Sequence, residues 1–225
     1  MTEVYLIRHG EAEGNVFRRL HGHYDGLLTP RGMQQVKCLE KRFENVHIDA
    51  CYASDLTRTS LTARSIYVPK GLKLHRDPRF REISVGPWED QPYGWLDQQD
   101  PEQMYLFNYK PTKWKIGGAE TFDEYSQRFY EGVVDAAQKN DGGTIAIFAH
   151  GCVIRSLLMR EFFGEDVSKL PYSDNTGVCK LFYDKGKFTY EFVNDNSHLP
   201  EHLSTFAIQR WWRESGTKCL FFDYR

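Results

Sequence analysis

Two apolar runs in this chain end in the same way. Val4-Tyr5-Leu6-Ile7 closes on Arg8-His9-Gly10, and Thr144-Ile145-Ala146-Ile147-Phe148-Ala149 closes on His150-Gly151. Runs this short and continuously apolar suit strands covered on both faces. Helical patterns lie between them. Thr29-Pro30 offers an N-cap followed by proline at the first helical position, so a helix is expected to about Arg42. Ala50–Ala53 reads as a second strand and Ser54-Asp55 as the cap of a helix reaching about Tyr67, with Leu72–His75 a third strand. Thr121-Phe122-Asp123-Glu124 is a capping box, and Phe122, Tyr125, Phe129, Val133 and Ala136 then recur at helical spacing. A further helix is expected from about Val153 to Phe163. Val178–Tyr183 and Lys187–Val193 flank Asp184-Lys185-Gly186 as a hairpin. Strands alternating with helices imply an α/β fold, a three-layer sandwich with a mostly parallel central sheet flanked by helices.

In such a sheet, ligands bind just beyond the carboxyl ends of the strands. If the two histidine-ended strands are neighbours, His9 and His150 enter one crevice together with Arg8. Arg58, in the first turn of the helix after Ala50–Ala53, comes from the same end. Two guanidinium forks and two imidazoles make a cationic pocket suited to phosphoryl oxygens. Phosphoryl transfer needs little beyond a nucleophile, an acid and charge stabilisation. A neutral imidazole is a competent nucleophile, and Glu82 could protonate the leaving oxygen.

Composition closes off other classes. Charged residues are 27% of the 225, the net charge is -2, and no block of like charge suggests nucleic acid or a membrane surface. The five cysteines are scattered and never form a CxxC pair, which favours a reducing, cytoplasmic setting over a disulfide or zinc framework. No apolar segment is long enough for a bilayer span. The chain reads as one domain over residues 1–225, with an irregular cap-like excursion, rich in Trp, Tyr, Gln and Pro, at about 83–118.

The ordered set of motifs resembles the histidine phosphatase superfamily, which includes cofactor-dependent phosphoglycerate mutases and many small-molecule phosphatases. Leu6-Ile7-Arg8-His9-Gly10-Glu11-Ala12-Glu13-Gly14-Asn15 is similar to its signature, with Ala12 where Ser or Thr is common. Gly22, Asp25 and Leu28-Thr29 follow in the family's order. Tyr52–Thr59, Arg81–Glu89, Gly117–Thr121 and Ala149-His150-Gly151 with Arg155 also resemble family stretches, as does Asp174-Asn175-Thr176 before a late strand. The resemblance implies a phosphoglycerate mutase-like fold and a phosphomonoesterase acting on a small phosphorylated metabolite, with no metal or other cofactor. His9 would become phosphorylated. Arg8, Arg58 and His150 would hold the transferring group, and Glu82 would serve as acid and then base. Asn15, His21, Gly22 and Gly151 would lie against the phosphoryl group or substrate; His21 stands where Gln is frequent.

Three other readings remain open at this point. A mutase would need cations for a second phosphate, and Lys110, Lys113 and Lys115 are the candidates. A metal hydrolase could use His21 with His23, or His198 with His202. A non-catalytic module could bind phosphorylated ligands without turnover. Phe206, Trp211 and Trp212 could form a partner surface, and the oligomeric state is not encoded in any pattern we recognise.

Overall fold

The computed structural model describes residues 1–166, 169–171 and 173–209. Trp211 and Trp212 lie outside the described residues.

A six-stranded sheet carries the fold. Its strands are β1 (Thr2–Arg8), β3 (Ala50–Ala53), β4 (Leu74–Arg76), β6 (Thr144–Ala149), β7 (Val178–Asp184) and β8 (Lys187–Asp195). Their spatial order is β4-β3-β6-β1-β7-β8. Neighbours from β4 to β1 pair in parallel, whereas β1–β7 and β7–β8 are antiparallel. A separate two-stranded ribbon joins β2 (Arg19–Leu20) to β5 (Gln91–Pro92).

The apolar runs alternate between two cores, as the two-residue period of a strand requires. Tyr5, Ile7, Ala146 and Phe148 face one core with Leu39 and Phe43 of α2 (Pro30–Phe43) and Ala63 and Ile66 of α3 (Thr57–Tyr67). Val4, Leu6, Ile145 and Ile147 face the other, with Phe129 and Val133 of α6 (Phe122–Lys139) and Val153, Ile154 and Leu157 of α7 (Gly151–Leu158). Helices therefore cover both faces, giving the expected three layers. Phe148 is fully buried, and truncating it to Ala should cost about 3–5 kcal/mol.

Local signals were mostly obeyed. Thr29 caps α2 by accepting from Gly32 N at 3.0 Å. Thr121 and Glu124 form the reciprocal capping box of α6. The hairpin turn places Lys185 and Gly186 at positive φ, as a tight two-residue turn demands.

Three boundaries differ from expectation. Ser54-Asp55 do not cap α3: its N-cap is Leu56, Asp55 forms a two-pronged pair with Arg81 at 2.7 and 2.6 Å, and Ser54 turns inward. The helix after β6 begins at Gly151, not Val153, and its last turn, Met159–Phe163, widens into a π-helix. The third strand is shifted to Leu74–Arg76. The excursion contains two short helices, α4 (Tyr93–Gln99) and α5 (Pro101–Tyr109), the second capped by Asp100 onto Gln103 N. Among the described residues, α1 (Glu13–Phe17) and α8 (Thr205–Ile208) complete the α-helices.

Candidate active site

Strand pairing builds the site. Arg8 pairs with Ala149 at the end of the β1–β6 ladder, and His9 N donates to Ala149 O at 3.0 Å, which carries the ladder one residue further. Ser54 N likewise donates to Phe148 O at 3.1 Å. Three adjacent parallel strands thus deliver Ser54, His150 and His9 side by side at their carboxyl ends. The His9 and His150 rings have centroids 5.1 Å apart.

His9 is buried, and its Nδ1 lies 2.7 Å from Gly10 O. A carbonyl can only accept, so Nδ1 carries the proton and Nε2 keeps its lone pair. Burial first, then the charges of Arg58 and Arg8, hold the imidazole well below its ordinary pKa and keep it neutral. A neutral ring with a free Nε2 is what a nucleophile requires.

Arg58 is 2% exposed, yet every nitrogen has a partner. Nη1 donates to Tyr24 O and Nη2 to Gly22 O, both at 2.7 Å, and Nε donates to His150 Nδ1 at 3.2 Å. Burial lowers its pKa to about 10, which still leaves it cationic at neutral pH. Gly22 earns its place through backbone geometry: its φ is +53°, and a Cβ there would lie 2.4 Å from Glu89 Oε1.

His150 has both ring nitrogens engaged. Because Arg58 Nε can only donate, Nδ1 accepts, and the neutral ring carries its proton on Nε2, 2.9 Å from Ser54 Oγ. Ser54 Oγ lies 2.7 Å from Thr59 Oγ1, which reaches Leu56 O at 2.7 Å. A buried hydroxyl chain therefore fixes the His150 tautomer. Burial, followed by Arg58, pushes His150 well below its ordinary pKa. His150 stands behind His9 and is not part of the cavity wall.

Glu82 comes from the loop after Phe80 and caps α7 from a distance. Oε2 accepts from Cys152 N at 3.1 Å, and Oε1 from Val153 N at 3.3 Å and Ile83 N at 3.0 Å. This explains why α7 starts early without a local side-chain cap: its free N–H groups meet a carboxylate. A Cβ on Gly151 would lie 3.5 Å from Arg8 Nε and 3.9 Å from Glu82 Oε2, ordinary contact distances, so the start of α7 sits directly against both groups.

These groups open into a cavity of about 220 Å³. Arg8, His9, Asn15, His21, Gly22, Arg58, Glu82 and Gly151 all line it, so every expected site residue except His150 reaches the wall. Tyr93, Phe107, Leu158, Leu170 and Phe206 supply apolar and aromatic surface to the same wall. Phe206 thus lies in the cavity wall, not on a separate face. His21 packs closely against Gly14 and Gly26, and its Nε2 is 3.4 Å from Asp90 Oδ1; burial and Arg58 lower its pKa to about 4.

Two alternatives find little support in this geometry. Lys110, Lys113 and Lys115 are exposed and do not line the cavity. His23 bonds to Glu82 O at 2.7 Å, and His198 sits between Arg42 and Thr176, so each of these pairs has one ring already engaged by protein groups. Among the described residues no cluster of three His, Cys, Asp or Glu forms a metal site, and no helix is long and apolar enough to cross a membrane.

The loop 173–177 was visible in the sequence only as a resemblance. It wraps the end of β1: Ser173 O accepts from Arg8 Nη1, Gly177 O accepts from Arg8 N, and Thr176 N and Asn175 Nδ2 donate to His9 O. Asp174 anchors it through Ser204 Oγ and Asn196 Nδ2.

The family model for the histidine phosphatase superfamily (branch 1) matches residues 4–196. The chain belongs to that superfamily. Phosphoglycerate mutase-like protein 4 of Arabidopsis thaliana is 31% identical over 203 residues, which cover 89% of this chain and 88% of that one. Among solved structures, YhfR of Bacillus stearothermophilus superposes with a TM-score of 0.84 at 32% identity, covering 88% of this chain and 99% of its own. Phosphoserine phosphatase of Entamoeba histolytica, solved in complex with 3-phosphoglyceric acid, gives 0.77 at 25% identity, covering 89% and 100%. The phosphoglycerate mutase-like fold is thereby shown, and the neighbours include both phosphatases and mutase-like proteins.

Proposed function

We propose that this histidine phosphatase superfamily member is a phosphomonoesterase that hydrolyses a small phosphorylated metabolite through a phosphohistidine on His9. The observation that carries this reading is the His9 ring, neutral and tethered at Nδ1, with its Nε2 lone pair in a cavity lined by Arg8, Arg58 and Glu82.

The chemistry follows from these atoms. The Nε2 lone pair attacks phosphorus, an N–P bond forms, and the ester P–O bond breaks. Glu82 gives its proton to the departing alkoxide oxygen. Oε1 already accepts two backbone N–H groups whereas Oε2 accepts one, so Oε2 is the oxygen with room for that proton. A water molecule then attacks phosphorus and returns a proton to Glu82 as the N–P bond breaks, releasing phosphate. Arg8 and Arg58 stabilise the charge on the phosphoryl oxygens throughout; losing one such group should cost about 3–4 kcal/mol of transition-state stabilisation. Each role is filled by a side chain of this chain, so the scheme asks for no metal or organic cofactor.

The cavity volume suits a compact substrate, and the similar phosphoserine phosphatase of Entamoeba histolytica, solved with 3-phosphoglyceric acid, supports that size class. Hydrolysis of an aryl phosphate in excess chelator by wild type and by His9→Ala tests the reading. Turnover by wild type alone supports it. Equal turnover by both removes His9 from the mechanism, and interconversion of phosphoglycerates without hydrolysis would favour a mutase.

A further inference from the structure

Asn175 is completely buried, and its side chain is arranged at its own expense. Nδ2 donates to two acceptors, His9 O at 3.0 Å and Asn15 Oδ1 at 3.2 Å, while Oδ1 is buried without any partner. An amide free to choose would not strand its oxygen away from water. Rotating it would set that oxygen against the His9 carbonyl, so the orientation is imposed by the two acceptors.

The orientation of Asn15 is fixed in turn. Its Oδ1 accepts from Ala12 N at 2.9 Å and from Asn175 Nδ2, which uses both lone-pair directions. The Asn15 Nδ2 group forms no hydrogen bond among the described residues, and Asn15 lines the cavity beside His9. The amide thus presents two N–H donors and no acceptor to the place where a phosphoryl group on His9 would lie. Position 12 is an alanine, so no hydroxyl at that residue can supply a donor in its stead.

We propose that Asn175 is a positioning residue for phosphoryl transfer: it clamps the Asn15 amide so that Nδ2 donates to the phosphoryl oxygens, and it holds the same amide against the His9 backbone. This rests on the phosphatase reading above. Asn175 also lines the cavity, but both of its N–H groups are committed to His9 O and Asn15 Oδ1, so it has no donor left for the phosphoryl group. It acts through Asn15, which distinguishes it from a residue that merely stabilises the loop.

A double-mutant cycle tests this. Hydrolysis of p-nitrophenyl phosphate is measured for wild type, Asn15→Ala, Asn175→Ala and the double variant. Each single change should lower kcat/KM about tenfold or more, since preorganised donors to developing charge have effects of that order or larger. The double variant should be no slower than Asn15→Ala alone, because residues acting as one unit are not additive. If the two losses multiply, Asn175 acts independently and the proposal is wrong. If Asn175→Ala does not fold, Asn175→Ser, whose hydroxyl can serve only one acceptor, takes its place in the cycle.

A second readout needs no turnover. The Asn15 side-chain amide resonances are followed by NMR as inorganic phosphate is added. In wild type they should shift with saturation. In the Asn175 variant the shift should shrink or require several-fold more phosphate. An unchanged response overturns the proposal. Should wild type fail to hydrolyse the aryl phosphate, the phosphatase reading fails by that result, and the phosphate titration still decides the role of Asn175.

Discussion

Ser54→Ala is the smallest change that should disturb the histidine pair without touching it. The serine hydroxyl accepts the His150 Nε2 proton at 2.9 Å, donates to Thr59 Oγ1 at 2.7 Å and receives Leu56 N at 3.3 Å, all at full burial. Removing it leaves the Nε2–H without an acceptor, a loss of about 1–3 kcal/mol. Thr59 keeps Ser54 O and Leu56 O as acceptors, so its share is smaller, about 0.5–1 kcal/mol. The variant should therefore be destabilised by about 1.5–4 kcal/mol in urea unfolding. A second effect falls on activity. Without Ser54 the His150 proton can move to Nδ1, where it confronts the Arg58 Nε–H only 3.2 Å away. Arg58 is pinned by Tyr24 O and Gly22 O, so relief requires the guanidinium or the ring to shift. Displacements of about 1 Å at such a centre lower kcat by up to about a hundredfold. Nitrogen NMR of His150 reads the tautomer directly. An unfolding free energy within about 0.5 kcal/mol of wild type, together with an unchanged kcat, would refute the relay; so would a wild-type spectrum with the proton on Nδ1.

Other outcomes follow from the same geometry. His9 is held below its ordinary pKa of 6.5, and only its unprotonated form attacks, so kcat/KM should stay level as pH falls through 6.5 and decline only at lower pH. His21 is lowered to about 4, so between pH 6.5 and 4 the unfolded chain binds a proton that the folded one refuses. Its contribution is complete above that window and is lost as pH falls, by roughly 1 kcal/mol midway through it, and His21→Gln should flatten the stability curve by about that amount. Gly22→Ala forces a β-carbon into a backbone at φ +53° and against the Glu89 carboxylate, which Tyr24 N and Val85 N hold in place. It should cost about 2–4 kcal/mol of stability and lower kcat by loosening the Arg58 support, both read on the purified variant. Phe107→Leu, in the apolar part of the cavity wall, should change the preference between substrates several-fold while phosphoenzyme formation from an aryl phosphate stays close to wild type; equal losses on all substrates would make Phe107 structural.

Much of this arrangement is legible in the sequence because its signals are local. The apolar runs before His9 and His150, the Thr29-Pro30 start, the Thr121–Glu124 box and the Asp184–Gly186 turn each depend on neighbours in the chain, and each appears where expected. Two of the misreadings, at Ser54-Asp55 and at the start of α7, share one cause. Ser54-Asp55 has the composition of a helix cap, but its partners, His150 and Arg81, are distant in sequence and outcompete the local bond. The early start of α7 depends on Glu82, about seventy residues upstream of the N–H groups it accepts. The buried oxygen of Asn175 and the Asp174–Ser204 bond have no one-dimensional signature either. Asp100-Pro101, by contrast, is a local cap signal, and it starts α5, one of the one or two short helices expected within the irregular excursion.

The nucleophile itself is open to direct test. Wild type and His9→Ala are mixed with a labelled phosphomonoester in excess chelator, quenched within one turnover, and assayed for a phosphoramidate that survives base but not acid. Label on wild type alone, mapped to His9, is the expected result. Hydrolysis with no labelled enzyme, or equal labelling of the His9→Ala variant, would contradict the central assignment.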